Sequence, residues 1–158
     1  MGKERLFEQF ITQHLNNAYR FAYIHVNNEQ MAEDVVSESV IKALKSLHRL
    51  KNDSFMKTWF YKIILNTSRT YLRRNNKIVY MDDEALERHM ELYENDSRIY
   101  FEEMIKSLPD DDKTIIALRF FENMKFREIS QILSLNENTV KTKLYKSLKI
   151  LKAEMEGE

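Results

Sequence analysis

Between Phe126 and Lys149 the chain reads FREISQILSLNENTVKTKLYKSLK. An amide (Asn138), hydroxyls (Thr139, Thr142, Tyr145) and ammonium groups (Lys141, Lys143, Lys146) crowd into the first half of what reads as a helix. These groups suit a DNA major groove: lysine takes phosphates or guanine edges, and threonine and tyrosine take bases or thymine methyls. Val140, Leu144, Leu148 and Leu151 recur at helical spacing and form the buried stripe behind them. A shorter helix precedes, with Ile129, Ile132 and Leu133 turned inward, Ser130 small enough for close helix approach, and Leu135 anchoring the turn. The pattern predicts a helix-turn-helix that presents Lys141, Thr142, Tyr145 and Lys146 outward, with Lys149 and Lys152 extending the positive strip. An amphipathic helix with a solvated lysine face is the plainer explanation of the same periodicity.

A second set of candidate groups lies upstream. In segment 56–74, Lys62, Asn66, Arg69 and Arg73 share one helical face, and Trp59 continues it one turn back. Phe55 and Tyr61 are placed beside that face, at the end nearest the preceding loop. Cations with aromatics suit unpaired bases, the cations holding the backbone and the rings stacking. Trp59 reads equally well as core.

A third set, Glu29, Glu33, Asp34 and Glu38 in segment 29–47, could hold Mg²⁺ as in all-helical nucleotide pyrophosphohydrolases. No matching carboxylate pair is offered by another helix, and segment 56–74 is cationic, so a protein-contact face explains them better. No metal site is expected. His14, His25, His48 and His89 are scattered, and no nucleophile–base–orienter set can be assembled. Cysteine is absent, which excludes disulfides, thiolate metal sites and a cysteine nucleophile. Glycine occurs at positions 2 and 157, so no glycine-rich phosphate cradle exists. Neither catalysis nor a cofactor is expected.

Net charge is zero, yet the charges are segregated. Residues 41–80 hold 10 Lys/Arg against 1 Asp/Glu, and residues 81–112 hold 3 against 12. Residues 113–158 hold 9 against 6, and residues 1–40 hold 3 against 6. Two basic surfaces with an acidic spacer fit a nucleic-acid-binding chain despite a pI of 6.9. No apolar run approaches membrane-spanning length, and MGKERLFEQF lacks a signal-peptide core, so a cytoplasmic location is expected.

The elements that must position these groups are all helices. Segments 4–25, 29–47 and 56–74 repeat the helical apolar pattern, which includes Leu15 and Leu44. They predict a three-helix bundle, with Asn27-Asn28 as a break and cap, 50–55 as a loop, and Asp53 or Ser54 capping the third helix. Residues 77–98 read as an acidic linker, with a transient helix at 83–93. A second domain, 99–158, begins with a short helix to Leu108. Pro109 then opens a helix running to about Phe121, with Asp110, Asp111 and Asp112 in its first turn. The fold class is all-α: two small helical domains, 1–76 and 99–158, joined by the acidic linker, the second containing the helix-turn-helix.

Three stretches carry a resemblance: AEDVVSESVIKALKSL (32–47), SFMKTWFYKIILNTSRTYLRR (54–74) and LPDDDKTIIALRFFENMKFREISQILSLNENTVKTKLYKSLKIL (108–151). In order and spacing, over nearly the whole chain, they resemble extracytoplasmic-function (ECF) sigma factors of bacterial RNA polymerase, group IV of the sigma-70 family. The resemblance implies that Glu33, Asp34, Ser37, Glu38 and Lys42 dock on the β′ clamp helices of core RNA polymerase. It implies that Asn52, Asp53, Ser54, Phe55 and Trp59 capture a flipped base of the promoter −10 element. Asn66, Arg69 and Arg73 would lie at the junction of duplex and single strand, and Lys62 would belong to the same −10 melting surface. Asn138, Thr139, Lys141, Thr142, Lys143, Tyr145 and Lys146 would read the −35 element of promoter DNA, in a domain that also meets the polymerase β flap. The linker would pass near the RNA exit path, and an anti-sigma factor is an implied partner. Ser134 and Asn138 stand where the family often has glycine, and Ser37 where it often has glutamine.

Two other function classes fit parts of the sequence. A stand-alone helix-turn-helix regulator would dimerise on a palindrome and leave helices 29–47 and 56–74 unexplained. A metal-dependent hydrolase using Glu33, Asp34 and Glu38 would turn over nucleotides and ignore DNA.

Overall fold

Pro109 is the single proline, and glycine is confined to positions 2 and 157, so most helices must be ended by residues that carry side chains. The computed structural model describes residues 2–75 and 97–157, with the side chains of 97–100 outside the description. The chain divides into two compact units, Met1–Ala85 and Leu86–Glu158. Every regular element among the described residues is helical.

In the first unit, α1 (Lys3–Val26), α2 (Glu29–Ser46) and α3 (Met56–Asn75) pack on one another. Asn27 ends α1 in the left-handed region at φ 54, its N–H donating to the Tyr23 carbonyl at 2.8 Å. Asn28 then caps α2, its side-chain oxygen accepting from the Met31 N–H at 2.8 Å. The two asparagines thus do separate jobs: the first reverses the chain and the second starts the next helix. The core is aromatic. Phe7 and Phe10 meet Phe60 edge-on at 5.8 and 5.7 Å, and Phe21 meets Tyr61 at 5.2 Å. Ala22, Ala32 and Ala43 are fully covered where helices approach.

In the second unit, α4 (Ser97–Ile105) and α5 (Asp110–Ile116) precede a π-helical turn, Ala117–Phe121. Pro109 occupies the cap position of α5, and its carbonyl accepts from the Lys113 N–H at 3.0 Å. The wide turn ends where the Met124 N–H reaches the Leu118 carbonyl at 3.0 Å, with Asn123 left-handed at φ 54. Next come α6 (Phe126–Leu133) and α7 (Glu137–Glu156). Ile115, Ile116, Leu118, Ile129, Val140 and Leu144 form their common core.

Four details depart from the sequence reading. The helix expected to run to Phe121 is α only to Ile116, because the apolar run IIALRFF packs through a widened turn. Neither Asp53 nor Ser54 is the cap after the loop; Asn52 caps a 3-10 turn, Asp53–Phe55, that leads into α3. Leu15 and Leu44 lie on the apolar pattern yet are 47% and 50% exposed. Within α7, Ser147 is buried while Leu148 is only half-buried. The expected helix at 83–93 and most of the acidic linker fall outside the described residues.

Candidate nucleic-acid interface

The helix-turn-helix is built from local hydrogen bonds. The Glu128 carboxylate accepts from the Lys125 N–H at 2.9 Å and fixes the start of α6. Ser134 ends α6 at φ 56 and ψ 41, and the Leu135 N–H closes the turn on the Ser130 carbonyl at 3.0 Å. Left-handed backbone costs a non-glycine residue about 1 kcal/mol, so serine here carries the strain that glycine would relieve. Asn136 caps α7, its side-chain oxygen accepting from the Asn138 N–H at 2.7 Å.

On α7 the side chains of Asn138, Thr139, Thr142, Tyr145 and Lys146 are exposed, Tyr145 by 62%. Asn138, Thr142 and Tyr145 fall on one line along the helix at intervals of about one or two turns. The Thr142 hydroxyl donates to the Asn138 carbonyl at 2.9 Å. Its proton is therefore taken, and its methyl and oxygen lone pairs face outward. Lys141, expected to face out, is instead half-buried over the Phe126 ring, Nζ 5.5 Å from the centroid. The Arg119 guanidinium lies 4.5 Å from the same centroid and donates to the Met124 carbonyl at 3.0 Å. Lys143 turns aside, its Nζ 3.9 Å from Asp112 Oδ1. Asp112, Asn138, Thr139, Thr142, Lys143 and Lys146 line an open concavity of about 410 Å³.

On α3, Lys62, Asn66 and Arg73 are exposed and Arg69 is half-buried, so the row forms one cationic face. Arg73 donates to Thr70 Oγ1 at 3.2 Å, which orders its guanidinium. Trp59 is half-buried, its ring centroid 6.2 Å from that of Phe7 at 73°, so it serves the core while leaving part of its ring open. Phe55 is 52% exposed on the 3-10 turn. Asn52 holds that turn, its oxygen accepting from the Ser54 N–H at 3.0 Å and the Ser54 hydroxyl at 2.7 Å. Asp53 is exposed beside it. Tyr61, expected beside the cationic face, is instead fully buried and offers no open ring there.

On α2, Glu33, Asp34 and Ser37 are exposed, and Gln30 donates to Asp34 at 3.0 Å. Ile41 and Leu44 are 52% and 50% exposed. Asp34, Ser37, Ile41 and Leu44 alternate spacings of three and four, the period of a helix seam that packs on another helix. Ile41 was missed in the sequence because a 3.6-residue period does not say which apolar residues a bundle leaves uncovered.

Glu38 and Lys42 turn toward α3. Lys42 Nζ donates to Thr67 Oγ1 at 3.2 Å and stands 3.9 Å from Glu38 Oε2. Burial, then the nearby Glu38 and Asp34 carboxylates, raise the pKa of the Tyr71 phenol. This polar seam ties the carboxylate-bearing helix to the cationic one. Among the described residues no group of three or more His, Cys, Asp or Glu could hold a metal ion.

Comparison with known proteins agrees with this arrangement. Residues 10–78 match the model for Sigma-70 region 2, and residues 98–151 match that for Sigma-70, region 4. The RNA polymerase sigma factor SigV of Bacillus subtilis is 42% identical over 151 residues, covering 94% of this chain and 90% of the relative. The ECF RNA polymerase sigma-E factor of Haemophilus influenzae is 29% identical, covering 95% and 87%. A solved structure of CnrH in complex with the cytosolic domain of CnrY shares the fold with a TM-score of 0.76 at 20% identity, covering 98% and 90%. The sigma factor RpoE of Bartonella quintana, in complex with the anti-sigma factor NepR, gives 0.77 at 17% identity, covering 95% and 96%. The chain belongs to the sigma-70 family, in its ECF group. It acts as a sigma factor, directing promoter-specific initiation of transcription.

Proposed function

We propose that three faces of this chain divide the labour of initiation. The α2 stripe of Glu33, Asp34, Ser37, Ile41 and Leu44 docks on the β′ clamp helices of core RNA polymerase, with Glu38 and Lys42 at its edge. The turn Asn52–Phe55 and the edge of Trp59 receive an unstacked base of the −10 element, and Lys62, Asn66, Arg69 and Arg73 hold the adjoining backbone. Extruding a base costs a few kcal/mol, which stacking and a pocket offset. On α7, Asn138, Thr139, Thr142, Tyr145 and Lys146 read −35 base edges, while Lys141 and Lys143 stand at the flanks.

The domain boundaries that go with this reading are 1–76 for docking and −10 recognition, 77–98 for the linker, and 99–158 for −35 recognition and the β flap. The protein performs no catalysis of its own and works in the cytoplasm; no described helix is long and apolar enough to cross a membrane. An anti-sigma factor is a further partner, a reading supported by the two solved neighbours, each of which is a complex.

The observation that carries this division is that each face is polar or apolar as its partner requires. The docking stripe exposes Ile41 and Leu44, the α3 face exposes cations, and α7 exposes hydrogen-bonding side chains. The test is to separate the defects. Tyr145→Ala should cost about 1–3 kcal/mol of discrimination between −35 sequences and leave polymerase binding intact. Equal loss on every promoter would contradict base reading by Tyr145.

A further inference from the structure

The recognition helix is cationic, yet a carboxylate stands in its DNA-facing concavity. Asp112 belongs to the first turn of α5, and its carboxylate enters the hollow lined by Asn138, Thr139, Thr142, Lys143 and Lys146. Its Oδ1 is covered and makes no hydrogen bond among the described residues. Lys143 Nζ stands 3.9 Å from it. The Asp112 side chain is 14% exposed and that of Lys143 37%. Asp112 is thus the fixed partner, and the longer Lys143 side chain is the one that moves to it. Neither Lys146 nor Lys149, both exposed on α7, has an ion pair among the described residues.

A lysine can serve DNA binding in two ways. Free, it neutralises a phosphate of any sequence and adds to the salt dependence of binding. Held back, it leaves recognition to the groups that read bases. We propose that Asp112 is a specificity-determining residue that tethers Lys143 away from the phosphate backbone. The ion pair withholds one sequence-blind contact, and so widens the gap between cognate and arbitrary duplex. This inference rests on α7 being the −35 reader proposed above.

The test is a double-mutant cycle on Asp112→Asn and Lys143→Ala, using the full chain assembled with core RNA polymerase and two promoter duplexes that differ only at −35. One duplex carries the −35 sequence obtained from run-off transcription; the other carries the same bases scrambled. Affinity for each is measured across a salt series. Asp112→Asn should tighten binding to the scrambled duplex several-fold, narrow the cognate-to-scrambled ratio, and steepen the salt slope by about 0.9. Lys143→Ala alone should leave the wild-type slope nearly unchanged, and should abolish the effect of Asp112→Asn when the two are combined. A slope that Lys143→Ala lowers equally in the wild-type and Asp112→Asn backgrounds would overturn the tether. So would an Asp112→Asn effect that survives without Lys143, since Asp112 would then act on DNA directly. Failure of the wild-type assembly with core polymerase to prefer the cognate duplex at any salt would instead strike at the −35 assignment of α7. Both substitutions are near the surface, and thermal unfolding by circular dichroism checks that each variant keeps its fold.

Discussion

Ser134 shows how a single side chain can carry strain that a motif elsewhere avoids. Its left-handed backbone closes the turn of the helix-turn-helix, and nothing in its side chain requires that conformation. Ser134→Gly should raise stability by about 0.5–1 kcal/mol, because relief of the turn outweighs the extra freedom glycine has when unfolded. The urea midpoint reads this, and a lowered midpoint would count against the strain. His14 offers a second residue-scale test. Burial, then nearby Lys57, lowers its pKa below 6.5, and its ring lies 4.4 Å from that of Phe10. Above pH 6.5 the folded and unfolded chains both hold the ring neutral, and its contribution to stability is complete. As pH falls below that value the unfolded chain takes up a proton first, so stability declines through the window down to the lowered native pKa. His14→Gln should flatten that part of the pH–stability curve, and an unchanged curve would show that other groups set it. Caps such as Asn28 were legible in the sequence because their bonds are local. The Asp112–Lys143 pair and the Phe126 ring under Lys141 were not, because they join residues far apart in the chain.

At the scale of elements, periodicity located the helices well, and it identified the polar row of α7 and the cationic row of α3. It could not separate the core of α2 from its uncovered apolar stripe. Leu44 obeys the helical apolar pattern, yet the bundle leaves it half exposed next to Ile41. A stripe meant for another protein has the same period as one meant for the core. Leu44→Asp should therefore weaken binding to core polymerase at least about tenfold while changing unfolding free energy by no more than about 0.5 kcal/mol. Unfolding together with the binding loss would place Leu44 in the core instead. The wide π turn Ala117–Phe121 was illegible for a related reason: in a run whose one polar residue is Arg119, almost nothing marks the phase from which helical pitch is read. The seam of Lys42 with Thr67, and Glu38 beside Tyr71, adds a physical link between the proposed docking helix and the proposed DNA-facing helix.

For the whole molecule, zero net charge is compatible with DNA binding because the charges are sorted along the chain. The basic segment 41–80 and the recognition helix are separated by the acidic stretch 81–112. That stretch should oppose binding of the free chain to duplex DNA, so specific promoter recognition should require polymerase. Tight, sequence-specific binding of the free chain to a full promoter duplex would contradict this. The two-unit division was readable from the shift in charge and from the loss of apolar period after residue 76, whereas the path of the chain through 76–96 lies outside the described residues. As a sigma factor, this chain should direct bacterial core polymerase to promoters that carry both a −10 and a −35 element. Run-off transcription tests it most directly, with purified core polymerase, a pool of genomic promoter fragments, and the protein present or omitted. Discrete transcripts that need both components, and whose upstream sequences share −10 and −35 elements, are the expected result. No added transcript, with no co-elution of the chain with core polymerase, would contradict the account.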